Sequence, residues 1–217
     1  MSVTIPLFAT LLLILSGWGF NDWRGYFSHP ARVALVAFAV AGAAMALVLG
    51  LDLEPLRRGR LPTGTQSLEL LALTLSSIGL IWFLPFADRR HMFILGTSQV
   101  IRYGGLLIFG AGIVIRLAAL ASLGEQFSGY VTLQENHQLI ESGIYSVVRH
   151  PLYLSLLLAG PGFALVFASR LVWPILAVTV TFIAVRIRQE ERLLTTEFGR
   201  SYDEYRSRTW TLLPPIL

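Results

Sequence analysis

Two clusters of residues in this 217-residue chain are of types that do chemistry. The first is His137 to Tyr153, H-Q-L-I-E-S-G-I-Y-S-V-V-R-H-P-L-Y, which sets two histidines, an arginine, a glutamate and two tyrosines between two apolar blocks. Pro151 suits the first turn of a helix, because its missing N–H would have no intrahelical partner there. His150 then lies at or beside the N-cap, where free backbone N–H groups and the helix dipole receive an anion. Arg149 adds a formal charge, so a small ligand bearing a carboxylate or phosphate is expected at this point. Ser142-Gly143 predicts a turn that folds Ile144 and Tyr145 back over it. The second cluster is Arg186, Glu190 and Glu191. Arg186 and Glu190 are four apart, hence on one helical face, where the last apolar run ends. Each cluster alone also has a structural reading. The first can be a surface loop with a capping histidine, and the second an i,i+4 ion pair worth roughly a few tenths of a kcal/mol.

The elements that position these clusters follow from composition. Hydrophobic residues make up 54% and charged residues 14%, with a mean hydropathy of +0.64, which excludes an ordinary soluble domain and predicts an all-α integral membrane protein. A helical span needs roughly 20 mostly apolar residues. Six such segments can be placed: Ile5 to Phe20, Ala31 to Leu51, Leu68 to Phe86, Val100 to Leu120, Leu152 to Ala168 and Leu171 to Val185. A five-span arrangement, with the first segment in the interface, leaves the C-terminal half oriented the same way. The first segment has no positive n-region and no cleavage site, so it reads as a retained span.

Only Ser169 and Arg170 separate the last two segments, which predicts a tight helical hairpin. Gly160-Pro161-Gly162 is expected to loosen its first arm. The hairpin brings His150, at the start of one arm, to the same membrane face as Arg186 and Glu190, at the end of the other. That juxtaposition favours a site over two unrelated structural features. Beyond Val185, Leu194, Phe198, Tyr202 and Tyr205 are spaced as one face of an amphipathic tail helix continuing the second arm.

With six spans, ten arginines fall on the side of the two clusters and five on the other, at 24, 32, 89, 90 and 170; positive loops stay inside, so the clusters are expected to face the cytoplasm and its anionic lipids. Arg102 is expected at a span end, snorkelling, and Arg116 deeper, either lining a polar cavity or reaching headgroups. The chain contains no cysteine and four scattered histidines, so no metal is expected; nor is nucleic acid, because the basic excess belongs to a membrane protein.

From Leu123 onward the chain resembles the isoprenylcysteine carboxyl methyltransferase family, with the phospholipid N-methyltransferases as relatives. The resemblance rests on L-G-x-x-F-S (Leu123 to Ser128), H-x-L-I-x-x-G-I-Y-x-x-x-R-H-P-x-Y (His137 to Tyr153), R-x-x-x-E-E-x-x-L (Arg186 to Leu194) and F-G-x-x-Y-x-x-Y (Phe198 to Tyr205), in the family's order. Phe127 stands where the family more often has Trp. The resemblance implies S-adenosylmethionine as cofactor. It implies that His137, Gln138, Leu139, Ile140, Tyr145, His150, Pro151, Leu152, Tyr153 and Glu190 line the cofactor site, and that Arg186 faces the acceptor, Arg186 and Glu190 being the catalytic pair. No strand with a glycine-rich turn is present to build a dinucleotide fold instead.

The expected division is residues 1–120 as four N-terminal transmembrane helices and 121–217 as the catalytic region: cytoplasmic loop, hairpin and tail helix. The expected activity is methyl transfer to a lipophilic acceptor drawn from the bilayer, by carboxyl O-methylation, or alternatively by phospholipid N-methylation with Glu190 or Glu191 as base. A sterol-reductase-like NADPH enzyme would need more basic residues near the site than Arg149 and Arg186. A transporter or assembly factor would leave the polar hairpin mouth unexplained.

Overall fold

A computed structural model of the chain describes residues 4–50, 64–123 and 139–213. Among them are eight α-helices: α1 (Thr4–Trp18), α2 (Trp23–Phe27), α3 (Pro30–Val48), α4 (Gly64–Arg89), α5 (Gln99–Leu123), α6 (Pro151–Val166), α7 (Val172–Phe198) and α8 (Arg200–Ser207). Two 3-10 turns, Phe20–Asp22 and Gly143–Ser146, and isolated β-bridges accompany them in the described residues. All six predicted apolar segments are helical. α3, α5 and α7 are long and apolar enough to cross a membrane, and Leu7–Trp18 and α6 are shorter apolar helices.

The expected hairpin forms, with one short arm and one long. α6 spans about 24 Å at 1.5 Å per residue, whereas α7 spans about 40 Å, because the charged turns after Val185 continue the same helix to Phe198. The single tail face predicted from Leu194 to Tyr205 is corrected: Gly199, at φ 50°, ends α7 and starts α8 in a new direction. The turn leaves Leu194 and Phe198 half-buried and sinks Tyr202 and Tyr205 completely into the protein.

α6 packs most extensively on α5, ahead of its hairpin partner α7. The reason is a file of small residues. A Cβ on Gly112 would lie 3.0 Å from the backbone of Ser155 and Ala159, one on Gly162 would lie 2.5 Å from the Phe109 nitrogen, and one on Gly105 would collide with Leu165 and Val166. Without side chains there, the two backbones approach as closely as membrane helices do where dispersion must replace the hydrophobic effect. The expected loosening at Gly160-Pro161-Gly162 is therefore corrected. α6 runs through Pro161 unbroken, and Gly162 serves the close approach. Gly112→Val is expected to cost about 1–3 kcal/mol by forcing the helices apart. Gly104→Val, on the same helix with nothing within 4 Å, is the matched control; equal melting temperatures for the two variants in detergent would refute the packing account.

The helix ends remote from His150 are tied by charge. Asp88, at the end of α4, accepts from Arg32 of α3 at 3.0 Å and from both terminal nitrogens of Arg102 of α5, at 3.0 and 2.6 Å. Arg102 also donates to the Val166 carbonyl at the end of α6, at 2.9 Å. The expectation that Arg102 snorkels is thus corrected: it is committed to a carboxylate and a helix terminus, which an arginine fork satisfies at once. Arg32 donates further to the carbonyls of Tyr26 and Gly25, and its guanidinium lies 4.2 Å from the Trp18 ring. The two loops at this end pair as well, Leu95 N–H with the Ala168 carbonyl and Arg170 N–H with the Phe93 carbonyl, both at 2.6 Å. With one end of the bundle fixed, the mouth of the α6–α7 hairpin is set at the other.

Candidate active site at the hairpin mouth

Three pieces of chain meet at the hairpin mouth: the turn before α6, the charged turns of α7, and α8 with its tail. Gly143 begins a 3-10 turn, Gly143–Ser146, at φ 61°. A Cβ there would strike Ser122 Oγ near the end of α5, so glycine allows both the backbone conformation and the contact. The turn buries Tyr145, whose carbonyl accepts from the Tyr205 hydroxyl at 2.8 Å. Burial pushes the Tyr205 phenol up to about 12, so it stays neutral and remains a donor.

Pro151 is the first residue of α6 and His150 its N-cap, as the spacing requires, but the His150 side chain makes no capping hydrogen bond. Its ring is buried and faces α7 instead. Nε2 lies 3.4 Å from Glu191 Oε1, and Nδ1 lies 3.8 Å from Glu190 Oε2. The His150 side chain therefore does not cap the helix, and the two sequence clusters lie side by side at the hairpin mouth. Tyr153, one turn into α6, stacks beside His150 with ring centroids 5.7 Å apart and turns its hydroxyl to Glu190 and Arg186. Arg186 is buried, with its guanidinium 6.0 Å from the Phe182 ring. The Glu190 side chain is 34% exposed against 3% for His150, so the carboxylate is the more accessible of the two.

Arg149 corrects an expectation. Its charge does not address a ligand. Nε donates to Glu191 at 3.2 Å, one terminal nitrogen to the carbonyls of Arg206 and Thr209, and the other to Thr211 Oγ1 at 2.6 Å. Backbone bonds run alongside: Arg149 N–H to the Trp210 carbonyl, Trp210 N–H to the Val147 carbonyl, and His150 N–H to the Thr211 carbonyl. Arg149 therefore clamps the tail over the turn and holds Glu191 against His150. Thr209, Trp210 and Thr211 went unread in the sequence. An uncharged T-W-T after a helix carries no pattern that distinguishes a tail that pairs from one that does not.

Leu139 and Ile140 are half-buried on the approach to the turn and share no hydrogen bond with His150 or Glu190 among the described residues. Pro151 and Leu152 build the start of α6, Leu152 by accepting from Ser155 Oγ. His137, Gln138 and Phe127 lie outside the described residues. Arg116, four residues beyond Gly112 on the same face of α5, makes no hydrogen bond or ion pair among the described residues. No group of three or more metal-ligating side chains occurs among them either.

Comparison with known proteins bears on this same stretch. Residues 105–196, from α5 to near the end of α7, match the model of the isoprenylcysteine carboxyl methyltransferase (ICMT) family. The protein-S-isoprenylcysteine O-methyltransferase of Schizosaccharomyces pombe is 28% identical over 229 aligned positions, covering 98% of this chain and 95% of the relative. Protein-S-isoprenylcysteine O-methyltransferase B of Arabidopsis thaliana is 32% identical over 113, covering 51% of this chain and 57% of the relative. The solved structure of the eukaryotic intramembrane Ras methyltransferase ICMT superposes with a TM-score of 0.56 at 20% identity, covering 85% of this chain and 66% of that one. The chain thus spans nearly all of the yeast relative and about six-tenths of the plant one. The matched segment contains His150 and Tyr153 at the start of α6 and Arg186 and Glu190 on α7.

Proposed function

We propose that this protein is an S-adenosylmethionine-dependent membrane methyltransferase whose acceptor is the carboxylate of a lipophilic, isoprenylcysteine-type molecule. The observation that supports the reading is the pairing of His150 with Glu190 and Glu191 across the hairpin, which brings residues of the matched segment together beside the start of α6. The donor set suits the cofactor. Glu190 presents a reachable carboxylate for an ammonium and for ribose hydroxyls, and the first-turn amides of α6 suit a carboxylate. His150, Tyr145 and Tyr153 supply the surrounding wall, together with Leu139 and Ile140, and the family resemblance adds His137 and Gln138, which lie outside the described residues. Bound there, S-adenosylmethionine would supply a methyl group made electrophilic by its sulfonium.

The chain's own work is then alignment and exclusion of water. A carboxylate acceptor is already ionised at neutral pH, so no general base is required. Arg186 orients it, Tyr153 braces Arg186 against Glu190, and Phe182 closes the apolar side. We assign this work to residues 121–217 and the framing of the membrane-embedded part to residues 1–120. The mouth faces the cytoplasm in this proposal, since the tail arginines and Arg149 gather there, while on the opposite side Arg32 and Arg102 are neutralised by Asp88 and Arg89 pairs with Asp22.

The test is calorimetric titration of the detergent-solubilised protein with S-adenosylmethionine and, separately, NADPH. Heat with the methyl donor alone is expected; binding of NADPH without the donor would overturn the proposal. Arg186→Ala is expected to lower methyl transfer by roughly two to three orders of magnitude, as loss of one charge-orienting donor does elsewhere. Donor affinity should stay within about threefold if that donor serves the acceptor alone. A loss of donor affinity as large as the loss of rate would move Arg186 to the cofactor side.

A further inference from the structure

Helix lengths fix the depth of the hairpin mouth in a bilayer. At the remote end of the bundle the Val166 carbonyl closes α6 against Arg102, and Arg90 and Arg170 are exposed at that same end. These charges mark one boundary of the hydrocarbon core. From there α6 rises about 24 Å, against a core about 30 Å thick. His150 therefore lies about 6 Å inside the opposite boundary, and the extended residues just before it, back to Val147, reach that boundary. Tilt of α6 sets them deeper.

The C-terminal tail comes back to this depth. α7, about 40 Å long, overshoots the core by roughly 10 Å. Gly199 then turns the chain, the Tyr205 hydroxyl reaches the Tyr145 carbonyl, and Trp210 N–H reaches the Val147 carbonyl at 2.9 Å. The Trp210 carbonyl accepts from Arg149 N–H at 2.8 Å in turn. Non-helical backbone at such a depth finds little water, so two segments that satisfy each other are what the surroundings demand. The side chains carried by this pairing are nevertheless uncovered and apolar: Val147 is 49% exposed, Trp210 40% and Leu213 40%. They continue the exposed apolar surface of the spans, which includes Leu156 on α6 and Val185 on α7. Arg206 and Arg208, close by in the chain, are exposed as well. A tryptophan at a membrane boundary sets its ring against acyl chains and its N–H among headgroups, while arginines meet anionic phosphates.

We propose that Trp210, with Val147 and Leu213 at the same depth, anchors the C-terminal tail in the leaflet at the hairpin mouth, the partner being the interfacial zone of an anionic phospholipid bilayer. Arg149 ties the tail to the protein, and the anchor ties it to the membrane. The inference requires only that α6 lies in the bilayer, so it stands or falls apart from the methyl-transfer reading.

The chain contains no cysteine, so a single nitroxide label can be placed without a background. The full chain carrying Trp210→Cys, or Asp203→Cys on the exposed side of α8, is labelled and reconstituted into nanodiscs of phosphatidylcholine and phosphatidylglycerol. Power-saturation EPR then compares collisions with oxygen, which concentrates in the bilayer, and with a water-soluble nickel chelate. The ratio of oxygen to nickel access is expected to be higher at 210 than at 203 by roughly threefold or more, as for a group sunk into the headgroup and acyl boundary. Equal ratios at the two positions overturn the proposal. Val147→Cys reads the same depth from the other paired segment should the Trp210 variant fold poorly, and a ratio there no higher than at 203 counts equally against it. Spin–spin broadening between labels at 210 would place a second copy of the chain on the patch and overturn the lipid assignment. The native side chain is read by fluorescence: the emission lost on Trp210→Phe is expected to be quenched by lipids brominated near the headgroup. Quenching of that emission by aqueous iodide alone overturns the anchor. Nanodiscs of phosphatidylcholine alone are expected to lower the ratio at 210, and an unchanged ratio there overturns the assignment to anionic headgroups.

Discussion

Glu190→Ala is expected to weaken S-adenosylmethionine binding by roughly ten- to a hundredfold, the equivalent of the 1.5–3 kcal/mol that a hydrogen bond to a charged group contributes. Glu190 is the exposed partner of a buried histidine, so its removal takes away a ligand contact while His150 keeps Glu191 at 3.4 Å. Melting temperature without ligand should consequently move little. Glu190→Gln retains an acceptor for ribose hydroxyls but not the charge for an ammonium, and is expected to fall between wild type and alanine. Unchanged donor affinity in Glu190→Ala, measured by calorimetry, would remove this residue from the cofactor site. A collapse of stability without ligand would instead assign it a structural role.

The largest effect on stability is expected from Arg149→Ala, on the order of 3 kcal/mol, the cost of stripping one partner from a largely buried charge pair. Glu191 would lose its guanidinium, and the tail would lose its side-chain bonds at Arg206, Thr209 and Thr211. The two effects are separable. Arg206 and Arg208 are already exposed, so release of the tail acts by freeing the backbone around them for trypsin; faster cleavage there reports the clamp, and the thermal midpoint reports the whole. Arg149→Lys is expected to rescue poorly, because one ammonium cannot reach a carboxylate, two carbonyls and a hydroxyl on diverging lines. Trypsin resistance and melting like wild type in Arg149→Ala would show that the backbone pairing of Val147 to His150 with Trp210 and Thr211 suffices alone.

The two variants divide the motif R-H-P between two tasks. Arg149 holds chain to chain, and His150, one residue on, faces Glu190 and Glu191 across the hairpin. Adjacent residues thus have different partners, the tail for Arg149 and α7 for His150.

Much of this was legible in the residues. Apolar run lengths placed all six long helices, since a segment that must satisfy its backbone inside a bilayer has few alternatives to a helix. Pro151 located the start of α6 by the hydrogen bond it cannot make, and the four-residue spacing of Arg186 and Glu190 placed them on one face by helix geometry alone. These are local rules, and local sequence carries them. What tertiary structure decided was the employment of the polar groups. Arg102 could be read as snorkelling until Asp88 and the Val166 carbonyl were found at its fork. Arg149 could be read as a ligand's counter-charge until the tail consumed its donors, and Gly162 as a helix weakness until α5 was found against it. An arginine has the same donors whether it meets a ligand, a carboxylate or a helix end. Which of these it meets depends on residues tens of positions away, brought near only when the bundle closes.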